Sequence, residues 1–319
     1  MKLRLQICRF LKSHYGIDYN PDDEILITVG VSEALDLTMR SILNPGDEVL
    51  IPEPCYVSYG PVTALAGGKP IYISTAKTNF KLTPKDIERY CDKKTKAIIF
   101  NYPSNPTGAS YTRKELEEIK KAVLRRNLIM ISDEVYDELT YDFKHTPFVS
   151  LSGARKNTVY LNGFSKSYAM TGWRVGYACG PKEIIAAMTK IHQYTIMCVS
   201  ITSQIAACEA LVSGRKSVEE MKREYCRRRE FVVEELNRLG LSCRKGQGAF
   251  YAFASIKRTG LSSMDFCQRL LKEQKTAVVP GTAFGPSGEG YIRISYASSL
   301  DNLKEAITRI GKFLALRKV

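Results

Sequence analysis

Strand-length apolar runs alternate with helix-length amphipathic stretches through most of the chain, and no other feature restricts the possible folds so strongly. Ile25 to Val29, Glu48 to Ile51, Ala97 to Phe100 and Leu128 to Ser132 have strand character. Ser32 to Leu43 and Thr112 to Arg126 have helical spacing, and Thr112 with Glu115 three residues later is a reciprocal helix cap. Asn44-Pro45-Gly46-Asp47 is turn chemistry between a helix and a strand. Strands that alternate with helices are joined by crossovers, so they lie parallel with helices on both faces of one sheet. Ahead of them, Leu3, Leu5, Ile7, Phe10 and Leu11 mark a helix closed by Gly16. Beyond Pro181 come further helical stretches, the last from Ser217 to Leu239 and ended by Gly240. Short strands then follow at Phe250 to Ala254, Ala277 to Val279 and Tyr291 to Ser295, with helices at Ser262 to Gln274 and Leu300 to Leu316. The expected organisation is α/β, with a large unit over residues 1–214 and a bridging helix plus smaller α+β unit over residues 215–319.

Composition narrows the function classes. With 44% hydrophobic and 25% charged residues among 319, the chain can bury a large core and is not disordered. Its apolar runs fall far short of the roughly 20 residues that span a bilayer, so no membrane segment is expected. Met1 to Arg9 alternate Lys and Arg with Leu and Ile and carry no secretory signal pattern, which points to the cytoplasm. The 9 cysteines include no Cys-x-x-Cys pair and no His at ligand spacing, so neither a disulfide framework nor a metal site is expected. A net charge of +14 suits nucleic acid, small anions or a merely basic surface, and does not choose among them. The densest basic stretch, Lys222 to Glu230, is broken by Glu224 and reads as a solvated helix face rather than a nucleic-acid patch. His14, His145 and His192 share no motif, and no role is assigned to them.

Chemistry concentrates in three segments that each follow a strand. Asn101-Tyr102-Pro103-Ser104-Asn105-Pro106-Thr107-Gly108 follows one, Ser132-Asp133-Glu134-Val135-Tyr136 the next, and Gly163 to Gly176, with Lys166 eight residues before Arg174, lies between two strand-like pieces. Ligands of open α/β sheets bind at the carboxyl ends of the strands, so all three segments point into one crevice. Singly, each of these residues has an ordinary structural reading: Asp133 as a turn cap, Tyr136 and Tyr56 as half-buried aromatics, Arg293 as an exposed strand residue, Ser32 as a helix N-cap. No Gly-x-Gly-x-x-Gly follows a strand and opens a helix, which removes the dinucleotide-binding alternative.

Taken in order, Thr-Val-Gly-x-x-Glu-Ala-Leu at residues 28–35, Asn-Pro-Thr-Gly at 105–108, Thr-Gly-Trp-Arg at 171–174 and Tyr-Ile-Arg-Ile-Ser at 291–295 make the chain resemble the class I/II aminotransferases, in particular their aspartate and aromatic subgroup. The resemblance runs over nearly the whole chain. It implies the type I fold of pyridoxal 5'-phosphate enzymes and transfer of an amino group between an amino acid and a 2-oxo acid such as 2-oxoglutarate, in two half-reactions. It also implies a homodimer with no nucleic-acid or membrane partner. By the same resemblance Lys166 is the amine that joins the cofactor aldehyde and moves the proton, and Asp133 keeps the ring nitrogen protonated. Asn105 and Tyr136 hydrogen-bond the ring hydroxyl oxygen, and Tyr56 stacks on the ring. The backbone amides of Gly30, Val31 and Ser32 and the Arg174 guanidinium hold the phosphate. Arg293 grips the substrate carboxylate. Many relatives place Ser three residues before the lysine; Gly163 stands there, and Ser165 is the expected substitute. A lyase or decarboxylase on the same fold would use the same groups. The resemblance further implies an upstream arm, a glycine-containing closing segment and a cross-dimer Tyr ahead of Leu3; a chain that starts at Met1 is expected to lack them and to turn over poorly.

Overall fold

The computed structural model describes residues 1–316. Its strands are β1 (Ile25–Thr28), β2 (Glu48–Glu53), β3 (Lys69–Ser74), β4 (Thr95–Asn101), β5 (Ile129–Asp133), β6 (Thr158–Gly163), β7 (Gly176–Cys179), β8 (Tyr251–Ser255), β9 (Val279–Pro280) and β10 (Tyr291–Ser295). The helices are α1 (Lys2–Tyr15), α2 (Gly30–Ile42), α3 (Tyr59–Leu65), α4 (Pro84–Tyr90), α5 (Arg113–Arg125), α6 (Lys182–Thr195), α7 (Ile201–Ser213), α8 (Arg215–Arg238), α9 (Ser263–Gln274) and α10 (Leu300–Ala315). Seven strands form one sheet in the order β1-β7-β6-β5-β4-β2-β3, and β8-β10-β9 form a small antiparallel sheet. Within the large sheet only β7 runs against its neighbours. The expected α/β architecture is therefore present.

Alternation along the central strands explains the layering. Ile99, Ile131 and Leu161 point into one core with Ala34, Leu35 and Ile42 of α2, whereas Ile98, Phe100 and Met130 point into another with Leu116, Ile119 and Val123 of α5. Successive side chains of a strand face opposite ways, so a strand apolar at every position must be covered on both faces. The α5 cap behaves as its sequence predicts: Thr112 accepts from the Glu115 amide, and the Glu115 carboxylate accepts from the Thr112 amide. Gly16 closes α1 at φ 69°, a left-handed conformation that suits glycine. The sequence reading missed β3, an edge strand containing Pro70; a proline lacks the N–H that an inner strand would need.

Two contacts set the small sheet over the large one. Gly108 sits at φ 68° with space for no side chain, since an added Cβ would lie 2.9 Å from the Gly248 carbonyl oxygen. This lets the amides of Gln247 and Gly248 both donate to the Gly108 oxygen, tying the loop that carries Asn105 to the chain that enters β8. The second contact corrects the sequence reading of the basic stretch on α8. Arg229 is 1% exposed rather than solvated. Its guanidinium makes two 2.8 Å bonds to Asp142 and a 2.7 Å bond to the Gly246 carbonyl, beside the Tyr141 ring. Arg227 and Arg228 do pair with Glu224 on the outer face.

Buried and exposed pairs on one helix should therefore differ in worth. Arg229→Met is expected to lower unfolding free energy by about 2–4 kcal/mol, because Asp142 and a carbonyl lose charge-assisted bonds. Glu224→Gln should change it by less than about 1 kcal/mol. Urea denaturation of the two variants measures both.

Candidate active site

Loops at the carboxyl ends of β2, β4, β5 and β6, the start of α2 and two strands of the small sheet, β8 and β10, enclose a cavity of about 390 Å³. Its lining includes Val31, Ser32, Tyr56, Asn105, Asp133, Tyr136, Ser165, Lys166, Arg174 and Arg293. Of the residues singled out from sequence, only Gly30 is not in direct contact with this space, and it lies under the Arg174 guanidinium.

Asp133 ends β5 and is 5% exposed. Burial pushes its carboxyl up from 3.8 to about 6, against the opposing effects of the Tyr59 hydroxyl, the Val135 amide and the Lys166 charge. The Tyr59 hydroxyl donates to it at 2.7 Å. Directly across on β4, in register with it, Asn101 donates from Nδ2 to the Asp133 carbonyl and accepts from the Asn105 amide at 3.0 Å. Tyr59 was absent from the sequence reading, and Asn101 stood there only as the first residue of the segment after a strand, with no role of its own. The available signals were the three-residue spacing from Tyr56 and the position of Asn101 at a strand end.

Lys166 is half-buried, and its amine is pulled below its ordinary value by desolvation first and by the positive fields of Arg174 and Arg293 next. The Nζ lies 5.9 Å from the Phe250 ring centre. Such a lysine is more readily found as the free amine, the nucleophilic form.

The floor at the start of α2 is built by close glycine packing. Gly30 has φ 74° and is overlain by Arg174, whose Nη2 would be 2.7 Å from any Cβ there. A Cβ on Gly176 would fall 2.6 Å from the Gly30 carbonyl carbon, and one on Gly163 would fall 2.9 Å from the Gly176 Cα. Backbone thus occupies the space that a side chain at 163 would enter, while Ser165 lines the cavity. The first N–H groups of α2 have no partner four residues back, and the helix end favours an anion. Across the cavity, Arg293 projects from β10 between the Tyr251 and Phe284 rings. It donates 2.7 Å to Asn105 Oδ1, and its Nε is buried without a partner. Tyr136 and Tyr251 share a hydroxyl hydrogen bond of 3.1 Å, and Tyr56 packs edge-on against Tyr59.

Residues 1–310 match the family model "Aminotransferase class I and II". The chain belongs to this aminotransferase family. It is 44% identical, over 100% of its length and 83% of the relative's, to aromatic-amino-acid aminotransferase 2 of Thermococcus litoralis. An aspartate aminotransferase of Pyrococcus abyssi is 46% identical over the same shares. The solved aromatic aminotransferase of Pyrococcus horikoshii superposes with a TM-score of 0.97 at 45% identity, covering 99% of this chain and 86% of that one. The protein is thus an aminotransferase of fold type I, a family whose members use pyridoxal phosphate. Among the described residues no group of His, Cys, Asp and Glu could hold a metal, and no helix is long and apolar enough to cross a membrane.

The aminotransferase stores an electrostatic cost at Asp133. The folded chain binds a proton there that the unfolded chain has released between pH 3.8 and about 6, so stability contributed at low pH is lost as pH rises through that window. In cofactor-free protein, Asp133→Asn should therefore raise unfolding free energy by about 2–3 kcal/mol at pH 8 and by almost nothing near pH 3.5. Denaturation at the two pH values checks the sign.

Proposed function

We propose that the chain is a pyridoxal 5'-phosphate-dependent aminotransferase that moves an amino group from an amino acid to a 2-oxo acid, with 2-oxoglutarate as acceptor, through ping-pong half-reactions. The observation that carries this reading is the convergence of Lys166, Asp133 and Arg293 on one cavity with a glycine-floored helix start. The groups present suit the cofactor. A buried carboxylate whose hydrogen bonds come from neutral donors, the Tyr59 hydroxyl and the Val135 amide, fits a protonated ring nitrogen, and a helix N-terminus under Arg174 fits a phosphate. When bound, the cofactor supplies an aldehyde for amine exchange and a ring that draws electrons from the bonds at the substrate Cα.

The chain's own residues do the rest. Lys166 would hold the cofactor through its amine; released from it, the same nitrogen would take the proton from the substrate Cα and deliver it to the cofactor carbon that carried the aldehyde. Asp133 keeps the ring nitrogen protonated. Asn105 and Tyr136 donate to the ring hydroxyl oxygen, and Tyr56 covers the ring face. The amides of Gly30, Val31 and Ser32, with Arg174 and Ser165, take the phosphate. Arg293 has a buried Nε free of partners and an Asn105 contact that orients its fork, which suits it to a carboxylate. Asn105 thereby touches both the cofactor and the residue that binds substrate.

Cofactor capture is assigned to residues 1–214 and substrate carboxylate capture to residues 215–319. In support, one separate apolar core draws its buried members wholly from Val232 to Leu314. A homodimer is proposed because α7 turns Ile201, Ile205 and Val212 outward, beside exposed Tyr194 and Met197, an apolar face of the kind that marks association. All nine cysteines are unpaired, in keeping with the reducing cytoplasm.

A panel of amino donors with 2-oxoglutarate should give turnover, with parallel initial-velocity lines when both substrates are varied. Intersecting lines would contradict the ping-pong order. Arg293→Lys should raise the half-saturation constant of every productive donor by about tenfold or more, since the bidentate fork is lost, and unchanged constants would remove Arg293 from the carboxylate role.

A further inference from the structure

One member of the Thr-Val-Gly-x-x-Glu-Ala-Leu segment is still without a task. Glu33 lies in the first turn of α2, immediately behind the residues that face the cofactor phosphate, and does not line the cavity. Its two oxygens are both engaged. Oε2 accepts from the Val29 amide at 2.5 Å, and Oε1 meets His192 Nδ1 at 2.7 Å. The two side chains are 12% and 8% exposed. His192 comes from the last turn of α6, so the pair ties α6 to the peptide that precedes Gly30.

The same short stretch is held from other directions. Thr28 Oγ1 donates to the Gly30 carbonyl at 2.9 Å, the Arg174 guanidinium covers Gly30 above, and Gly176 packs beneath it. Val29 has ψ 69°, and Gly30 follows in a left-handed conformation. The chain thus turns sharply at this point, and without Glu33 the part-buried Val29 amide would lose its partner. With that amide taken, the N–H groups of Gly30, Val31 and Ser32 remain as the helix's free donors.

We infer that Glu33 and His192 form a positioning pair, which fixes the turn at Val29 so that the amides of Gly30, Val31 and Ser32 are already aimed when the cofactor phosphate arrives. The inference rests on the reading of this helix start as the phosphate cradle. Glu33 acts through the backbone and not through its charge, which by itself would repel a phosphate; His192 donates to it and holds its rotamer.

The test compares two ligands of the full, cofactor-stripped protein: pyridoxal 5'-phosphate and pyridoxal, which lacks the phosphate. Glu33→Ala should weaken binding of the phosphorylated compound by about tenfold or more and that of pyridoxal by less than about threefold, the range expected when a supporting contact is removed. Glu33→Gln keeps an acceptor oxygen for the Val29 amide, so it should stay within about threefold of wild type for both ligands. His192→Ala leaves the Val29 bond in place and should give a smaller loss confined to the phosphorylated compound; it carries the test should Glu33→Ala not fold. Equal losses for both ligands would mean that the pair only holds the fold together, and tighter phosphate binding in Glu33→Ala would mean that its charge dominates; either result overturns the proposal. Failure of the wild-type protein to take up either ligand would overturn the cofactor reading itself, and the proposal with it.

Discussion

A carboxylate in dry protein with too few partners is the constraint around which this aminotransferase is arranged. Asp133 sits at the end of the middle strand of its sheet, where both neighbouring strands and the loops above exclude water. Tyr59 supplies one good hydrogen bond, and the Val135 amide, at 3.4 Å, supplies a weak one. That is less than a buried charge needs, which is why its carboxyl rises to about 6. A ring nitrogen bearing a proton would complete it. The deficit in the free protein is thus the same quantity that favours the protonated form of a bound cofactor.

The opposite charge is handled by the same logic. Three cations face one cavity: Lys166, Arg174 and Arg293. Burial first, and then the positive fields of Arg174 and Arg293, depress the Lys166 amine, and burial likewise lowers Arg293. A phosphate beside Arg174 and a carboxylate beside Arg293 would each relieve part of that strain, so the site is electrostatically complementary to a dianionic cofactor and an anionic substrate together. Asn105 couples the two halves, because its amide is held by Asn101 next to Asp133 while its side chain orients Arg293.

Much of this was legible in the sequence, and the exceptions have physical causes. Buried strands such as Ala97 to Phe100 announce themselves because both faces are apolar, and the α5 cap is a local, reciprocal contact. Lys166, Asp133 and Arg293 could be named because each follows or sits in a readable strand within a recurring motif. Tyr59 could not, since its role depends on a bond across 74 positions of sequence. Arg229 was misread for a similar reason: it shares a helix with solvated arginines, and only the packing of Asp142 and Gly246 against α8 takes it inside. The need for glycine at 163 and 176 is likewise a matter of two backbones meeting at close range, which no single segment encodes.

The central claim is that Lys166, and no other lysine, is the amine that carries the cofactor. Reduction of the pyridoxal 5'-phosphate-loaded protein with borohydride, followed by peptide mapping, tests it most directly. The account predicts a single stable pyridoxyl label on Lys166, in the peptide that contains Gly163 to Arg174. A label on a different lysine, or one spread over surface lysines with Lys166 unmodified, would contradict it.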